Sequence, residues 1–93
     1  MRQRLLYFIS ILGGVPENYE IVSSMAFAST NRRVVKEKLQ EIADNFGDGN
    51  DWIDWLGEYA FIAFQSKDIP DGRIYEDTYR LIYRVESKTF LDD

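Results

Sequence analysis

Leu5-Leu6-Tyr7-Phe8-Ile9-Ser10-Ile11-Leu12 is apolar on both of the faces that a pleated strand presents. A run of eight such residues suits a strand covered on two sides. Met1-Arg2-Gln3-Arg4 before it imitates the start of a secretory signal. The run is far short of the roughly 20 residues that a membrane span needs. Gly13-Gly14-Val15-Pro16 after it also lacks a small-x-small cleavage site, since Leu12 takes the upstream position. The stretch therefore reads as a buried strand, and a cytoplasmic chain is the default expectation.

Working outward, Gly13–Asn18 punctuates the chain as a loop, and Tyr19–Ala28 then alternates. Tyr19, Ile21, Ser23, Met25 and Phe27 share one face. Two strands joined by six residues predict a hairpin. Ser29-Thr30-Asn31 offers three N-caps to a helical pattern that runs on to about residue 46. Val35, Leu39, Ile42, Ala43 and Phe46 fall at helical spacing, and Gly47 supplies the stop. Asp51–Leu56 predicts a short helical turn. Its Trp52, Trp55 and Leu56 would sit together, with Asp51, Asp54 and Glu58 opposite.

Tyr59–Gln65 is rich in aromatics and isoleucine, as strands are. Ile69-Pro70-Asp71-Gly72 is a turn. Tyr79, Leu81, Tyr83 and Val85 alternate against Arg80, Ile82, Arg84 and Glu86, which decides for strand; Tyr75, Tyr79 and Tyr83 would also align on a helix. The expected fold is thus α+β in a single domain over residues 1–93. It is a mainly antiparallel four-stranded sheet in ββαββ order, with one main helix (about 30–46) on one face and a short helical turn near 51–56. One helix covers one face only. The other would present some of Leu6, Phe8, Leu12, Val22, Ile62, Phe64 and Ile82, with Arg80, Arg84 and Lys88 near its rim. Such a surface asks for a cover: the tryptophan segment, a second copy as a homodimer, or a partner.

Charge is unevenly placed along the 93 residues. The formal net charge is −5, yet Leu39–Ser66 holds Glu41, Asp44, Asp48, Asp51, Asp54 and Glu58 with no Lys or Arg. Such a stretch repels nucleic acid and attracts basic surfaces, so it speaks to partners rather than to fold. The plain account is a solvated face that keeps a small protein dissolved. The sharper one is a docking surface that competes for the Lys and Arg contacts on which nucleic-acid binding depends. Asp44, Asp48, Asp51, Asp54 and Glu58 would supply the charge. Trp52 and Trp55 would anchor the contact, as large amphipathic rings do at many interfaces.

Other chemistries find less in the residues. With no Cys, disulfides and thiolate metal sites are excluded; with no His, the usual general base is missing as well. Asp48–Asp54 invites a calcium reading, but Trp52 and Ile53 stand where an EF-hand loop needs a ligand and a glycine. Gly13-Gly14 lacks the third spaced glycine and the helix of a phosphate loop. No cofactor, metal or catalytic residue is expected.

In bulk character the chain is similar to the small acidic α+β proteins that phages and mobile elements encode against host defence, the anti-restriction and anti-CRISPR proteins. It is similar in the same way to immunity proteins that neutralise nuclease toxins. That resemblance rests on size, charge and missing residue types, so it transfers no site position. It implies a non-enzymatic inhibitor that occludes a basic, nucleic-acid-binding surface of a partner protein. The alternative is a homo-oligomeric domain that binds a small ligand between subunits through the aromatic second face with Arg80 and Arg84.

Overall fold

The computed structural model describes residues 2–46 and 51–92. Two long strands form first in the chain, β1 (Arg2–Val15) and β2 (Asn18–Ser29). Helix α1 (Arg32–Asp44) follows, then β3 (Trp52–Trp55), β4 (Ala60–Phe64), a single 3-10 turn at Ser66–Asp68, and β5 (Arg80–Asp92). The strands make one antiparallel sheet of five, in the order β2-β1-β5-β4-β3. The α+β class and the single main helix on one face are as expected. The four-stranded sheet and the ββαββ order are not.

The extra strand comes from the segment expected as a helical turn near 51–56. Trp52, Ile53 and Trp55 are residues that favour a pleated, half-buried surface. Their backbone pairs with β4 in the register Trp52↔Phe64 to Trp55↔Phe61. Asp51 does not cap a helix; its Oδ1 accepts the Ser66 N–H at 2.9 Å, tying the start of β3 to the turn that follows β4. The hairpin also differs from expectation. Its connection is two residues, Pro16 and Glu17, not six, because Gly13, Gly14 and Val15 remain paired in β1. Both glycines are required there. A Cβ on Gly13 would run into the Tyr79 hydroxyl, and Gly14 sits at φ 145° with the Asn18 carbonyl where its Cβ would be.

Helix α1 starts as its sequence dictates. Asn31 is the N-cap, its side chain accepting the Arg33 N–H at 3.0 Å, and its own N–H donates to Ser29 Oγ at 3.0 Å. The helix closes through Asn45, whose N–H reaches back to the Glu41 and Ile42 carbonyls; the expected stop, Gly47, lies outside the described residues. Arg32 and Arg33 occupy the first turn, where the helix dipole disfavours cations. Arg32 finds another partner, its guanidinium lying 3.5 Å from the centre of the Tyr59 ring.

Val35, Leu39 and Ala43 press one stripe of α1 onto Ile9, Phe61 and Ala63 of the sheet. Phe61 lies stacked on Tyr83 with 4.9 Å between centroids. Phe46 and Trp55 meet it edge-on at 5.8 and 5.2 Å. Because successive strand residues point to opposite sides, this register fixes the other face as well. Ile62, Ile82 and Leu12 stand in one cross-strand row there, ending in Asp54 on β3 and Ile21 on β2. No helix among the described residues lies on that face. Among the described residues no helix is long and apolar enough to cross a membrane.

Candidate functional site

β3 decides how the tryptophan and acidic residues are dealt out. In a four-residue strand, residues two apart share a side. Ile53 and Trp55 therefore turn to the helix side, where both pack against the core, and Trp55 meets Phe61 edge-on. Trp52 and Asp54 turn to the open face. Trp52 is 55% exposed there, above Phe64 on the neighbouring strand, and Asp54 is exposed opposite Ile62. The two indoles do not form one anchor pair.

The carboxylates are distributed in the same manner. Asp44 ends α1 on the helix side, exposed and accepting from Gln40 Nε2 at 3.0 Å. Glu41 meets Lys38 at 3.5 Å. Asp51 is half-buried and occupied by the Ser66 N–H. Glu58 is exposed in the turn between β3 and β4, next to Gly57 at φ 77°. Asp48 lies outside the described residues. Of the expected site, the fold thus gathers Trp52 and Asp54 on the open face with Glu58 at the adjoining turn. It separates Asp44 and Trp55 from them by the thickness of the sheet.

The basic residues of the open face are engaged within the chain. The Arg80 guanidinium lies 4.9 Å from the centre of the Phe64 ring. It donates to the carbonyls of Thr78, Tyr75 and Glu76 at 3.1, 2.9 and 3.2 Å, holding the long connection before β5 against the sheet. Arg84 forms an ion pair with Glu86 two residues along the same strand and face. Lys88 lies 5.6 Å from the centre of the Phe90 ring.

Two features were not singled out in the sequence. In the connection before β5, Asp71 accepts the Arg73 N–H at 3.1 Å and the Tyr75 hydroxyl at 2.9 Å. These hydrogen bonds, the Arg73 one first, hold the Asp71 carboxyl below its usual value; the same Asp71 bond lifts the Tyr75 phenol above its own. The Pro70-Asp71-Gly72 turn signal carries this arrangement, since an aspartate in a turn accepts from the N–H two residues on. The second feature is a shallow depression of about 340 Å³ at the hairpin end of the sheet, lined by Gly13, Gly14, Val15, Glu20, Val22 and Tyr79. It needs β1, β2 and the segment before β5 together, and no local pattern in the sequence announces it.

Among the described residues, no group of three or more Asp or Glu is placed to hold a metal ion. Compared with known proteins, the chain matches no family model, no curated protein and no solved structure.

Proposed function

We propose that this chain is a non-enzymatic protein-binding protein that occludes a basic surface of a partner protein, in the manner of phage anti-defence or immunity proteins. Its contact is built on the β3 end of the open sheet face. The observation that carries this reading is Trp52. A large ring 55% exposed on a sheet face without a helix, beside Asp54 and followed by Glu58, combines an apolar anchor with anionic flanks. The stretch Leu39–Ser66 contains no Lys or Arg to neutralise them. A basic, nucleic-acid-binding surface is the complement of that arrangement. Asp44 and Trp55 fall outside this contact, and Asp51 serves it by fixing the start of β3.

The alternative, a small ligand held between subunits by Arg80 and Arg84, has less support. Both guanidinium groups already have partners within the chain. The discriminating experiment is a capture from host lysate across a salt series with three baits. These are the wild type, the combined Trp52→Ala/Asp54→Lys/Glu58→Lys variant, and Asp44→Lys. A partner retained by the wild type and by Asp44→Lys, released by rising salt and lost with the combined variant is the expected result. Equal retention by all three, or no salt-sensitive partner at all, refutes the reading.

A further inference from the structure

The β1–β5 ladder outruns the rest of the sheet. β4 accompanies β5 only over Leu81–Arg84, with one further bond from the Val85 N–H to the Tyr59 carbonyl at 2.8 Å. β2 accompanies β1 only from Tyr7 onward. Residues 2–6 and 88–92 therefore form a two-stranded ribbon with no described strand on either flank. The ribbon helps to stretch the molecule to 55 Å and its radius of gyration to 15.0 Å. A compact chain of this length would have a radius of about 12 Å. Two strands alone are marginal in water; a third strand and an apolar face are what make a sheet stand. Leu5 and Phe90 are 42% and 43% exposed on this ribbon.

The sheet guards its edges at β2 and β3, whereas among the described residues both flanks of the ribbon are open, β1 over residues 2–6, which include Arg2 and Arg4, and β5 over residues 86–92. β2 is bulged at two places, which bends it away from edge-to-edge pairing. β3 is only four residues long and bears Asp54. β5, by contrast, pairs with β1 from Arg80 to Asp92 without a register shift and contains no proline. The Val85 bond shows which way its backbone groups point. In an antiparallel strand alternate residues turn both N–H and C=O to the same side. Ser87 and Thr89 therefore present theirs to the open edge, while Glu86, Lys88 and Phe90 turn theirs to β1. Ser87, Lys88, Thr89 and Phe90 are all exposed.

We propose that this edge takes the same edge of a second copy of the chain, β5 pairing antiparallel with its counterpart about a two-fold axis at Thr89. The two ribbons then become one four-stranded sheet, so each copy supplies the neighbour the other lacks. Charge opposes the approach only weakly, because residues 86–92 carry Glu86, Lys88 and Asp92, a net of −1 in each copy, and the acidic stretch 39–66 lies elsewhere in the chain. Register selects Thr89. A centre on Lys88 would oppose two ammonium groups, and a centre on Ser87 would drive the incoming strand into Tyr59, which occupies the lane beside Val85. The Thr89 centre pairs threonine with threonine, a favourable cross-strand pair. It also sets Lys88 of each copy opposite Phe90 of the other, repeating the contact found within one chain. The same register sets Glu86 of each copy at the position opposite Asp92 of the other, two like-charged pairs at the ends of the ladder.

Thr89→Pro tests this cleanly. The Thr89 N–H faces the open edge, so proline there removes no bond to β1 but blocks pairing with another strand. The wild type should sediment as a dimer at high micromolar concentration and dissociate on dilution. The variant should keep the far-ultraviolet circular dichroism of the wild type at half the sedimenting mass. A wild type that stays monomeric, or a Thr89→Pro variant that stays dimeric, overturns the proposal. Should the variant unfold, hydrogen exchange of the wild type decides. Ser87 and Thr89 amides whose protection rises with protein concentration support the pairing, and unprotected ones at concentrations where the chain is dimeric refute it.

Discussion

Glu17 occupies φ 70°, the left-handed region that side chains other than glycine enter at a cost of about 1–2 kcal/mol. It does so because Pro16 fixes the first central position of the hairpin turn at negative φ, and a two-residue connection of those signs needs positive φ at the second. Glu17→Gly removes that strain but frees the unfolded chain. A net gain below about 1 kcal/mol is expected, which for a domain of this size raises the melting temperature by a few degrees. Gly14→Ala should shift it the other way and further, since φ 145° and the Asn18 carbonyl both forbid a Cβ. Thermal unfolding followed by circular dichroism measures both, and a fall for Glu17→Gly would contradict this account of the turn. The Gly-Gly-Val-Pro string reads as loop because glycine usually marks one. The tertiary reason for Gly13, the tyrosine lying over it from sixty-six residues further along the chain, leaves no local trace.

At the scale of elements, α1 and β3 show what makes a segment legible. The thirteen residues of α1 repeat one periodicity and begin on a true cap, so its face and start follow from the sequence. β3 is four residues long, and Trp52 and Trp55 lie three apart, a spacing that suggests a shared helical face. Pairing with β4 overrides it and sends the two rings to opposite sides. The candidate site was legible to that extent only: its residues are real surface at Trp52, Asp54 and Glu58, but their division between two faces is set by β4. A direct consequence separates the two geometries. Trp55→Ala should destabilise the protein by about 3 kcal/mol, as large-to-small changes at packed aromatics do. Trp52→Ala should cost less than about 1 kcal/mol, as exposed substitutions do. Denaturant midpoints measure the difference. Similar losses at both positions would mean that the rings share an environment, as they would on a helical turn.

For the whole molecule, the sequence marks where most strands lie but not which ones meet. The pairing of Arg2–Gly14 with Arg80–Asp92 joins the two ends of the described chain, and nothing local in either strand selects the other. That ladder is nonetheless the centre of the sheet, flanked by β2 on one side and by β4 and β3 on the other. Amide exchange should reveal the order directly. The N–H groups of Phe8, Ser10 and Leu12 point into β5, and those of Ile82 and Arg84 point back into β1. Apart from Phe8, which lies past the end of β4, the other four sit where the ladder has a neighbouring strand on each side. They should exchange only through global unfolding, at a free energy equal to that from denaturant titration. Trp52 and Asp54 donate from an edge strand held by one neighbour alone. Their opening should be local and at least about tenfold more frequent, a difference of about 1.4 kcal/mol. Uniform exchange across β1, β5 and β3 would indicate one cooperative block. Faster exchange at Ser10 and Arg84 than at Trp52 would be incompatible with β1 and β5 lying side by side at the middle of the sheet.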